Sequence, residues 1–314
     1  MKRKLKLLKK YLVNTMINPT FSWCPDEGLY SLMIKMNIYF FLHKRLGNKY
    51  KTELQFIRKK TKQSLKHIYS WIFPYPFINT LSIKSIQVYT DASKGLFFVV
   101  HEGKRLYFKR ELDTEEKVRN AYYCVSIEQH KESPHCYLNE QYNIDGGIAL
   151  DVGSAEGLLG LMLIEKIDKL YLFEVEEGWI EALQATFEPW KDKVIIINKY
   201  VSDKNDTDCV TLDTIIKDEG IELIKIDVEG TEQKILAGAA NTLNKTKKVC
   251  VCTYHKNNDE VVLKNYLDER GWITSFSNNS ILYILSKLYP PYFRKCLIRA
   301  KKNETSMYLI HPRK

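Results

Sequence analysis

The chain has 314 residues, and its content of 45% hydrophobic and 27% charged residues is ordinary for a globular protein. Its seven cysteines are scattered without a Cys-x-x-Cys pair, which argues against a disulfide framework or zinc site and favours a reducing compartment. No apolar run reaches the roughly 18 residues of a membrane span. The first residues also lack the uninterrupted apolar core of a cleaved signal peptide. We therefore expect a cytoplasmic protein.

The positive charge of the chain lies in its N-terminal region. Residues 1–70 contain 16 Lys and Arg against 3 Asp and Glu, whereas the remainder has 32 against 35. Apolar residues recur among the lysines at helical spacing, at Leu5, Leu7, Leu8, Tyr11, Leu12 and Met16. This pattern predicts a basic helical region over residues 1–75.

This basic region has three interpretations that the sequence leaves open. It would be a solvated accessory region, a peripheral anchor on the anionic inner face of the membrane, or a docking element for the rest of the chain or a second subunit. A homo-oligomer is one form of the last interpretation. Nucleic acid is not an expected partner, because the chain contains no recognised nucleic-acid-binding module.

The middle of the chain predicts a small sheet and one helix. Two prolines within Trp71–Phe77 end any preceding helix, which places a boundary near residues 72–84. Ser85–Phe108 alternates apolar and polar residues around two glycines and predicts an antiparallel meander. Thr114–Gln129 has a helical pattern, so residues 76–140 form a second region. The segment Glu128–Tyr137 is then either a plain connector or a lid over the site that follows it.

A buried strand that ends in a glycine turn begins the third region, residues 141–314. Ile148–Val152 is an apolar run interrupted near its end by Asp151, as in a central parallel strand that leads into a ligand site. Gly153 and Gly157 allow a tight turn, and an apolar helix follows. Strand, glycine turn and helix together form the nucleotide-binding corner of a doubly wound sheet.

The glycine spacing favours S-adenosylmethionine over a dinucleotide at this corner. The glycines fall at Gly153, Gly157 and Gly160 instead of in the G-x-G-x-x-G order of dinucleotide folds. S-adenosylmethionine carries an ammonium and a sulfonium, and Asp151 and Glu156 supply carboxylates for them. An ordinary turn without a ligand is the alternative.

Polar residues follow each of the next predicted strands, at the edge where open α/β sheets bind ligands. Glu174 ends the second strand, 21 residues after Gly153, where an acid hydrogen-bonds the ribose hydroxyls in such folds. Val201 and Ser202 follow the third strand and would lie beside an adenine ring. The predicted strands are Lys169–Glu174, Lys193–Tyr200, Leu223–Asp227, Lys248–Tyr254, Trp272–Ile284 and Cys296–Ala300.

Over roughly residues 120–300 the chain resembles the FkbM family of S-adenosylmethionine-dependent methyltransferases. The resemblance is carried by Asp-Val-Gly-Ser-Ala-Glu-Gly at 151–157, Thr-Leu-Asp at 211–213, Ile-Lys-Ile-Asp-Val-Glu-Gly-Thr-Glu at 224–232, Ile-Leu-Ala-Gly-Ala at 235–239 and Tyr-His-Lys at 254–256. It departs from the family at residues 173–175, where Phe-Glu-Val replaces Phe-Glu-Pro, and at residues 154–156, where Ser-Ala-Glu replaces Ala-Asn or a close variant.

The resemblance implies an α/β fold of the class I methyltransferase type. Its Rossmann-like sheet would be mainly parallel with an antiparallel final hairpin, accompanied here by the basic helical region and the meander. It also implies S-adenosylmethionine as cofactor, with Asp151, Gly153, Ser154, Glu156, Gly157, Glu174, Val201, Ser202 and Asp227 as cofactor-binding residues. Family members mostly methylate hydroxyls, often on sugars of polysaccharides or natural products.

His255 is the predicted base that removes the proton of the acceptor hydroxyl, since it follows the fifth strand on the acceptor side and its ordinary pKa suits the role. A structural histidine at the strand end is the alternative, and His135 is the second candidate. Asp227 and Glu229 are the other predicted catalytic residues. These two carboxylates would suit Mg²⁺, but two carboxylates are too few for us to predict a metal site.

Three functions remain open at this stage. The first is an O-methyltransferase that acts on a glycan or a glycan precursor. The second is a methyltransferase of a lipid-linked or small-molecule acceptor at the membrane face, with the basic region as its tether. The third is a non-catalytic scaffold that keeps the fold, because fold alone does not determine function.

Overall fold

A computed structural model of the protein describes residues 25–63, 72–217 and 219–302. These residues divide into two compact units. The first comprises 25–63, 72–76 and 280–294, and the second comprises 77–279, apart from residue 218, together with 295–302. The predicted basic helix over Leu5–Met16 lies outside the described residues. Among the described helices, none is both long and apolar enough to cross a membrane.

The first unit is built from three helices and a returning segment. The helices are α1 (Gly28–Leu42), α2 (Lys44–Lys49) and α3 (Lys51–Gln63), preceded by the 3-10 turn Pro25–Glu27. One face of α1 is buried through Leu32, Met36 and Phe40. Segment 280–294 adds aromatic rings to this core, as the ring of Phe293 stacks on that of Tyr50 at 4.7 Å.

The second unit begins with a short antiparallel meander followed by a helix. Its strands are β1 (Tyr89–Asp91), β2 (Leu96–His101) and β3 (Lys104–Tyr107), and helix α4 follows at Glu115–Glu128. The hydroxyl of Thr114 caps α4 by accepting a hydrogen bond from the Lys117 amide at 3.3 Å. The predicted meander and helix therefore both form. Two further 3-10 turns, at Pro76–Asn79 and Ile83–Ser85, precede the meander.

A seven-stranded sheet forms the centre of the second unit. Its strands are β4 (Ile148–Val152), β5 (Lys169–Phe173), β6 (Val194–Ile197), β9 (Ile221–Ile226), β10 (Thr246–Cys252), β11 (Ile273–Phe276) and β12 (Leu297–Lys301). The spatial order is β11-β12-β10-β9-β4-β5-β6. All neighbouring pairs are parallel except those that β12 makes with β10 and β11. The predicted class I sheet with its antiparallel final hairpin is confirmed.

Short helices connect and cover these strands. They are α5 (Leu158–Leu163), α6 (Glu177–Phe187), α7 (Leu212–Ile215), α8 (Glu232–Ala237), α9 (Ala240–Asn244) and α10 (Asp259–Asp268), with a 3-10 turn at Glu188–Trp190. Most residues of the central strands β9 and β10 are buried, as expected for parallel strands covered on both faces. The chain order reverses between β4 and β9, which places a ligand-binding crevice at their carboxyl ends.

Two predicted strands are shorter than the sequence indicated. The third ends at Ile197, because its partner β5 ends opposite it at Phe173. Tyr200 belongs instead to a separate parallel pair formed by β7 (Tyr200–Val201) and β8 (Cys209–Val210). The strand predicted over Trp272–Ile284 ends at Phe276, and residues 280–294 belong to the first unit.

Candidate active site

The glycine turn after β4 is fixed between the neighbouring strands. The amides of Gly153 and Ser154 both donate to the carbonyl of Phe173 at the end of β5, at 3.0 and 3.1 Å. Gly153 has φ +79°, and a Cβ at this position would lie 2.0 Å from the carbonyl oxygen of Asp227. Only glycine can therefore bring β4 and β9 together here.

The second predicted glycine has a packing role in the structure. Gly157 immediately precedes α5 with φ +81°, and a Cβ there would lie 2.5 Å from Leu183 Cδ2 and 2.9 Å from Phe187 Cε2. It therefore allows α5 to pack closely on α6. Its predicted contact with the cofactor stays a prediction.

Glu174 is held against the glycine turn by backbone donors. Its Oε2 accepts from the amide of Ala155 at 2.8 Å, and its Oε1 accepts from the amides of Val175 at 2.7 Å and Glu176 at 2.9 Å. Ala155 itself is left-handed, with φ +45°. These three bonds fix the orientation of the carboxylate while leaving further acceptor capacity for the predicted ribose hydroxyls.

A cavity of about 90 Å³ lies at this turn and is rich in carboxylates. Of the predicted residues, it is lined by Asp151, Gly153, Ser154, Glu156 and Asp227. The segment proposed as connector or lid contributes Glu128, Gln129 and Tyr137, and Lys225 completes the polar lining. Four carboxylates therefore face this cavity with a single ammonium, which favours a cationic ligand.

The ammonium of Lys225 is committed to the end of β4. Its Nζ lies 2.9 Å from Asp151 Oδ1, and both side chains are almost wholly buried. It also donates to the carbonyl of Gly153. Burial disfavours the charge, yet Asp151 and Asp227 together keep the pKa of Lys225 above its ordinary value. Burial in turn raises the pKa of Asp151, against the opposing effect of Lys225.

Two other cavity acids are easier to protonate than ordinary glutamates. Burial raises the pKa of Glu156 to about 7, and the neighbouring Glu128 and Asp151 add to the shift. Burial is also the main cause that raises the pKa of Glu128, where Asp227 and Glu229 act in the same direction. The charge of Glu156 therefore depends on pH near neutrality, and a bound cation would favour the ionised forms of both acids.

Asp227 is the centre of a buried polar cluster after β9. Its carboxylate accepts from the hydroxyl of Tyr137 at 2.7 Å and from that of Tyr254 at 3.3 Å. His135 Nε2 lies 3.4 Å from Oδ2, and His255 Nε2 lies 3.5 Å from Oδ1. Although burial opposes ionisation, the bond with His135 and the nearby cationic groups hold the pKa of Asp227 far below its usual range.

His255 is held by two acids besides Asp227. Its Nδ1 lies 2.6 Å from Oε1 of the buried Glu232, which also accepts from the amides of Val228 and Gly230. Its Nε2 lies 3.6 Å from Glu229, whose side chain is 83% exposed. Burial opposes the imidazolium, but Glu232 and the other acids raise the pKa of His255 above its ordinary value.

Val201 and Ser202 are buried beside α8. Their packing explains why residue 238 is a glycine, since a Cβ there would lie 2.1 Å from the carbonyl oxygen of Ser202. Neither residue lines the cavity described above. Their predicted contact with an adenine ring stays a prediction.

Two groups of side chains in the described part of the chain have potential metal-ligand atoms within 4.8 Å of one another. One consists of Asp227, Glu232 and His255, and the other of His135, Asp227 and Cys252. Glu229, which the sequence suggested as a partner of Asp227 for Mg²⁺, belongs to neither group. In both groups the same atoms already form hydrogen bonds or ion pairs, so the geometry is equally that of a proton-handling cluster.

Sequence reasoning missed several residues of this site. The roles of Tyr137, Lys225 and Tyr254 were not predicted, and neither was the pairing of Glu232 with His255. Lys225 did carry a visible signal, because it is a charged residue between the apolar Ile224 and Ile226 of β9. The tyrosines carried none, since the hydroxyl of Tyr137 reaches Asp227 across 90 positions of sequence.

Comparison with known families decides the membership of the chain. The family model described as Methyltransferase FkbM domain matches residues 101–287, which is more than half of the 314 residues. The chain belongs to the FkbM methyltransferase family. No curated protein matches it. The match covers the glycine turn, the Asp227 cluster and His255.

Solved structures with similar folds include other methyltransferases. The methyltransferase FkbM from Methylobacillus flagellatus KT is 18% identical with a TM-score of 0.41, covering 59% of this chain and 54% of that one. The putative tRNA (m1A22) methyltransferase Sp1610 of Streptococcus pneumoniae, in complex with S-adenosyl-L-methionine, is 20% identical with a TM-score of 0.35, covering 51% and 68%. This chain therefore spans only about half of the length of the Methylobacillus FkbM methyltransferase.

Proposed function

We propose that this FkbM-family protein is an S-adenosylmethionine-dependent O-methyltransferase that methylates a sugar hydroxyl in a polysaccharide or glycan precursor. The observation that carries the proposal is the pairing of His255 with Glu232 beside Asp227, next to the glycine turn. A histidine oriented by a buried carboxylate is a group that can remove a proton from a hydroxyl.

The residues at the turn suit this cofactor. Asp151, Glu156, Glu128 and Asp227 offer negative charge to an ammonium and a sulfonium, and the fixed carboxylate of Glu174 offers acceptors to ribose hydroxyls. The present cavity of about 90 Å³ is smaller than the roughly 300 Å³ at which ligand pockets begin. We therefore propose that the segment at residues 128–137, which contributes Glu128, Gln129 and Tyr137 to the lining, moves outward when the cofactor binds.

When bound, S-adenosylmethionine supplies a methyl group on a sulfonium that is already a good leaving group. The protein must then align the acceptor and exclude water, and such positioning removes on the order of 7–11 kcal/mol of barrier. His255 accepts the hydroxyl proton at Nε2 while Glu232 holds its Nδ1. A base positioned in this way contributes roughly 10²–10⁴-fold to the rate.

The side chains around His255 support an acceptor rich in hydroxyls. Glu229 is exposed, has a left-handed backbone with φ +54°, and brings its carboxylate within 3.6 Å of the imidazole. Its oxygens can accept hydrogen bonds from sugar hydroxyls that flank the reacting one. A lipid-linked sugar presents the same hydroxyls, so the second candidate function differs only in what carries the sugar.

The cofactor half of the proposal is tested by calorimetric titration of S-adenosylmethionine and S-adenosylhomocysteine. We expect micromolar binding to the wild type and a loss of at least tenfold in Glu174→Ala, because the removed carboxylate is the proposed ribose ligand. Glu177→Ala is the matched control, since this neighbouring acid is exposed and begins α6. Absence of binding to the folded wild type would favour the scaffold interpretation.

The catalytic half is tested by methyl transfer from labelled S-adenosylmethionine to a panel of free and lipid-linked sugars. We expect His255→Ala to keep its cofactor affinity and to lose on the order of 10²-fold or more in turnover. Unchanged turnover in this variant would remove His255 from the role of base. Transfer to none of the sugars, with transfer to another hydroxyl acceptor, would contradict the proposed substrate class.

A further inference from the structure

Helix α1 in the first unit has apolar residues on two opposite faces. Leu32, Met36 and Phe40 are buried in the core of the unit, as described above. On the other side, Tyr30, Ile34, Phe41 and Leu42 expose 69%, 38%, 73% and 48% of their surfaces. We call these four residues the exposed α1 face. Contiguous apolar patches that are exposed at a protein surface mark sites of interaction, so this face indicates a partner.

The exposed residues lie along one side of the helix. Tyr30, Ile34 and Phe41 follow one another at intervals of about one and two turns, with the amide of Asn37 between the last two, and Leu42 follows Phe41 at the end. The 15 residues of α1 extend over about 22 Å. The aromatic and aliphatic side chains therefore form a line along one side of the helix. Apolar surface residues without a partner are normally scattered singly.

The segment that contains this apolar line is rich in positive charge. Residues 25–63 contain nine Lys and Arg against three Asp and Glu, an excess of six cations. Of the three acids, Glu53 is buried and Glu27 pairs with Lys35. Within the described residues, Lys44 and Lys51 are exposed and have no acidic partner.

A cavity of about 940 Å³ in the same unit is lined by both apolar and cationic side chains. Phe40, Phe41 and Leu54 contribute apolar lining, and the exposed cations Lys44, Lys51 and Arg58 line it as well. Arg58 is oriented there by donating to Asn37 Oδ1 at 2.6 and 3.0 Å. Apolar volume next to cationic groups is complementary to an acyl chain attached to a phosphate-bearing headgroup.

We propose that the exposed α1 face binds the surface of an anionic phospholipid bilayer. Phe41, Leu42 and Tyr30 enter the boundary between headgroups and acyl chains, while Lys44 and Lys51 contact lipid phosphates. Charge decides against a second copy of this chain as the occupant. A symmetric dimer through this face would bring the two cationic excesses together. The inference is independent of the proposed methyl transfer.

The test is sedimentation of the full-length protein with vesicles of phosphatidylcholine containing phosphatidylglycerol, compared with phosphatidylcholine alone. We expect wild-type binding only to the anionic vesicles, with part of the bound protein retained at high salt. Phe41→Ser/Leu42→Ser should weaken binding by on the order of tenfold and make it fully reversible by salt. Lys44→Gln/Lys51→Gln should weaken binding at low salt by about tenfold or more.

Matched controls remove equal apolar surface or charge elsewhere. Tyr200→Ser/Val261→Ser changes two apolar residues of the second unit that are 59% and 55% exposed. Lys191→Gln/Lys234→Gln removes two exposed cations of that unit. Both controls should bind like the wild type, and circular dichroism checks the fold of every variant.

Two outcomes would overturn the proposal. Binding that Phe41→Ser/Leu42→Ser leaves unchanged would show that the exposed α1 face does not enter the bilayer. A wild type that ignores anionic vesicles but forms a dimer abolished by the same double substitution would assign the face to a second copy of the chain.

Discussion

A substitution of Glu232 distinguishes a catalytic role of His255 from a purely structural one. If Glu232 orients a base, Glu232→Gln removes the charge that raises the pKa of His255 while keeping an acceptor for the amides of Val228 and Gly230. The neutral imidazole is the active form, so activity falls as pH decreases through its pKa. Losing the carboxylate lowers that pKa.

We therefore expect the acidic limb of the kcat/KM profile to move to lower pH in Glu232→Gln. Turnover at high pH should fall by on the order of tenfold, because the imidazole is less well oriented, and the affinity for S-adenosylmethionine should not change. Glu229→Gln is the control and should give a smaller shift, since that acid is exposed and 3.6 Å away. An acidic limb that stays in place in Glu232→Gln would mean that another group titrates.

A second residue-scale prediction concerns Gly153. Gly153→Ala places a methyl group 2.0 Å from the carbonyl of Asp227, so the ends of β4 and β9 must separate. We expect a loss of about 3 kcal/mol or more in the free energy of unfolding and abolished cofactor binding. Gly103→Ala is an unusually close control, because Gly103 also has φ +79° but nothing within 4 Å of the added Cβ.

The control isolates the cost of backbone strain, which should be about 1 kcal/mol. Chemical denaturation of both variants provides the measurement. Equal destabilisation by the two substitutions would show that the close approach of β4 to β9 is not what requires glycine at position 153.

At the scale of elements, the strands β4 and β9 are joined by a charged pair as well as by their backbones. Asp151 and Lys225 are register partners in the parallel ladder, and their side chains form the buried ion pair described above. Removing one partner leaves a buried charge without its counterion, which costs about 3–5 kcal/mol. Removing both leaves no such charge.

We therefore expect Asp151→Asn and Lys225→Met each to destabilise the protein strongly, and the double variant to lose less than the sum of the two. A double-mutant cycle by urea denaturation measures this coupling, which should be on the order of 2 kcal/mol. Additive losses would show that the two side chains do not interact. Lys225 also interacts with Asp227. The same cycle with Asp227→Asn therefore measures how strongly the lysine interacts with each of the two aspartates.

The elements also show what the sequence could and could not predict. The glycine turn was predictable because strand, turn and helix follow one another within residues 148–163, so the signal is local. The cluster around Asp227 was not, because His135 and Tyr254 meet across 119 positions. Helix α1 has apolar residues on its exposed side as well as on its buried side, so periodicity could not tell the two apart. The strand predicted over Trp272–Ile284 was overestimated because 280–294 leaves the sheet for another core.

For the whole molecule, the buried acids of the cavity predict how stability depends on pH. Folding raises the pKa of Glu156 to about 7 from its ordinary value near 4.5. Between these values the folded state holds a proton that the unfolded state has released, so stability decreases as pH rises through this range. His255 acts in the same direction, since the stability that its raised pKa gives is lost as pH rises through the folded-state pKa.

We therefore expect the free energy of unfolding to fall between about pH 5 and pH 8, and Glu156→Gln to flatten this decrease. The variant should be more stable than the wild type at about pH 8 by on the order of 2 kcal/mol, and similar to it near pH 4. Urea denaturation across this range provides the measurement.

A bound cation should favour ionised Glu156, so cofactor binding near pH 7 should release a proton. Calorimetry in buffers of different ionisation enthalpy detects that proton, and a release unchanged in Glu156→Gln would assign it to another group.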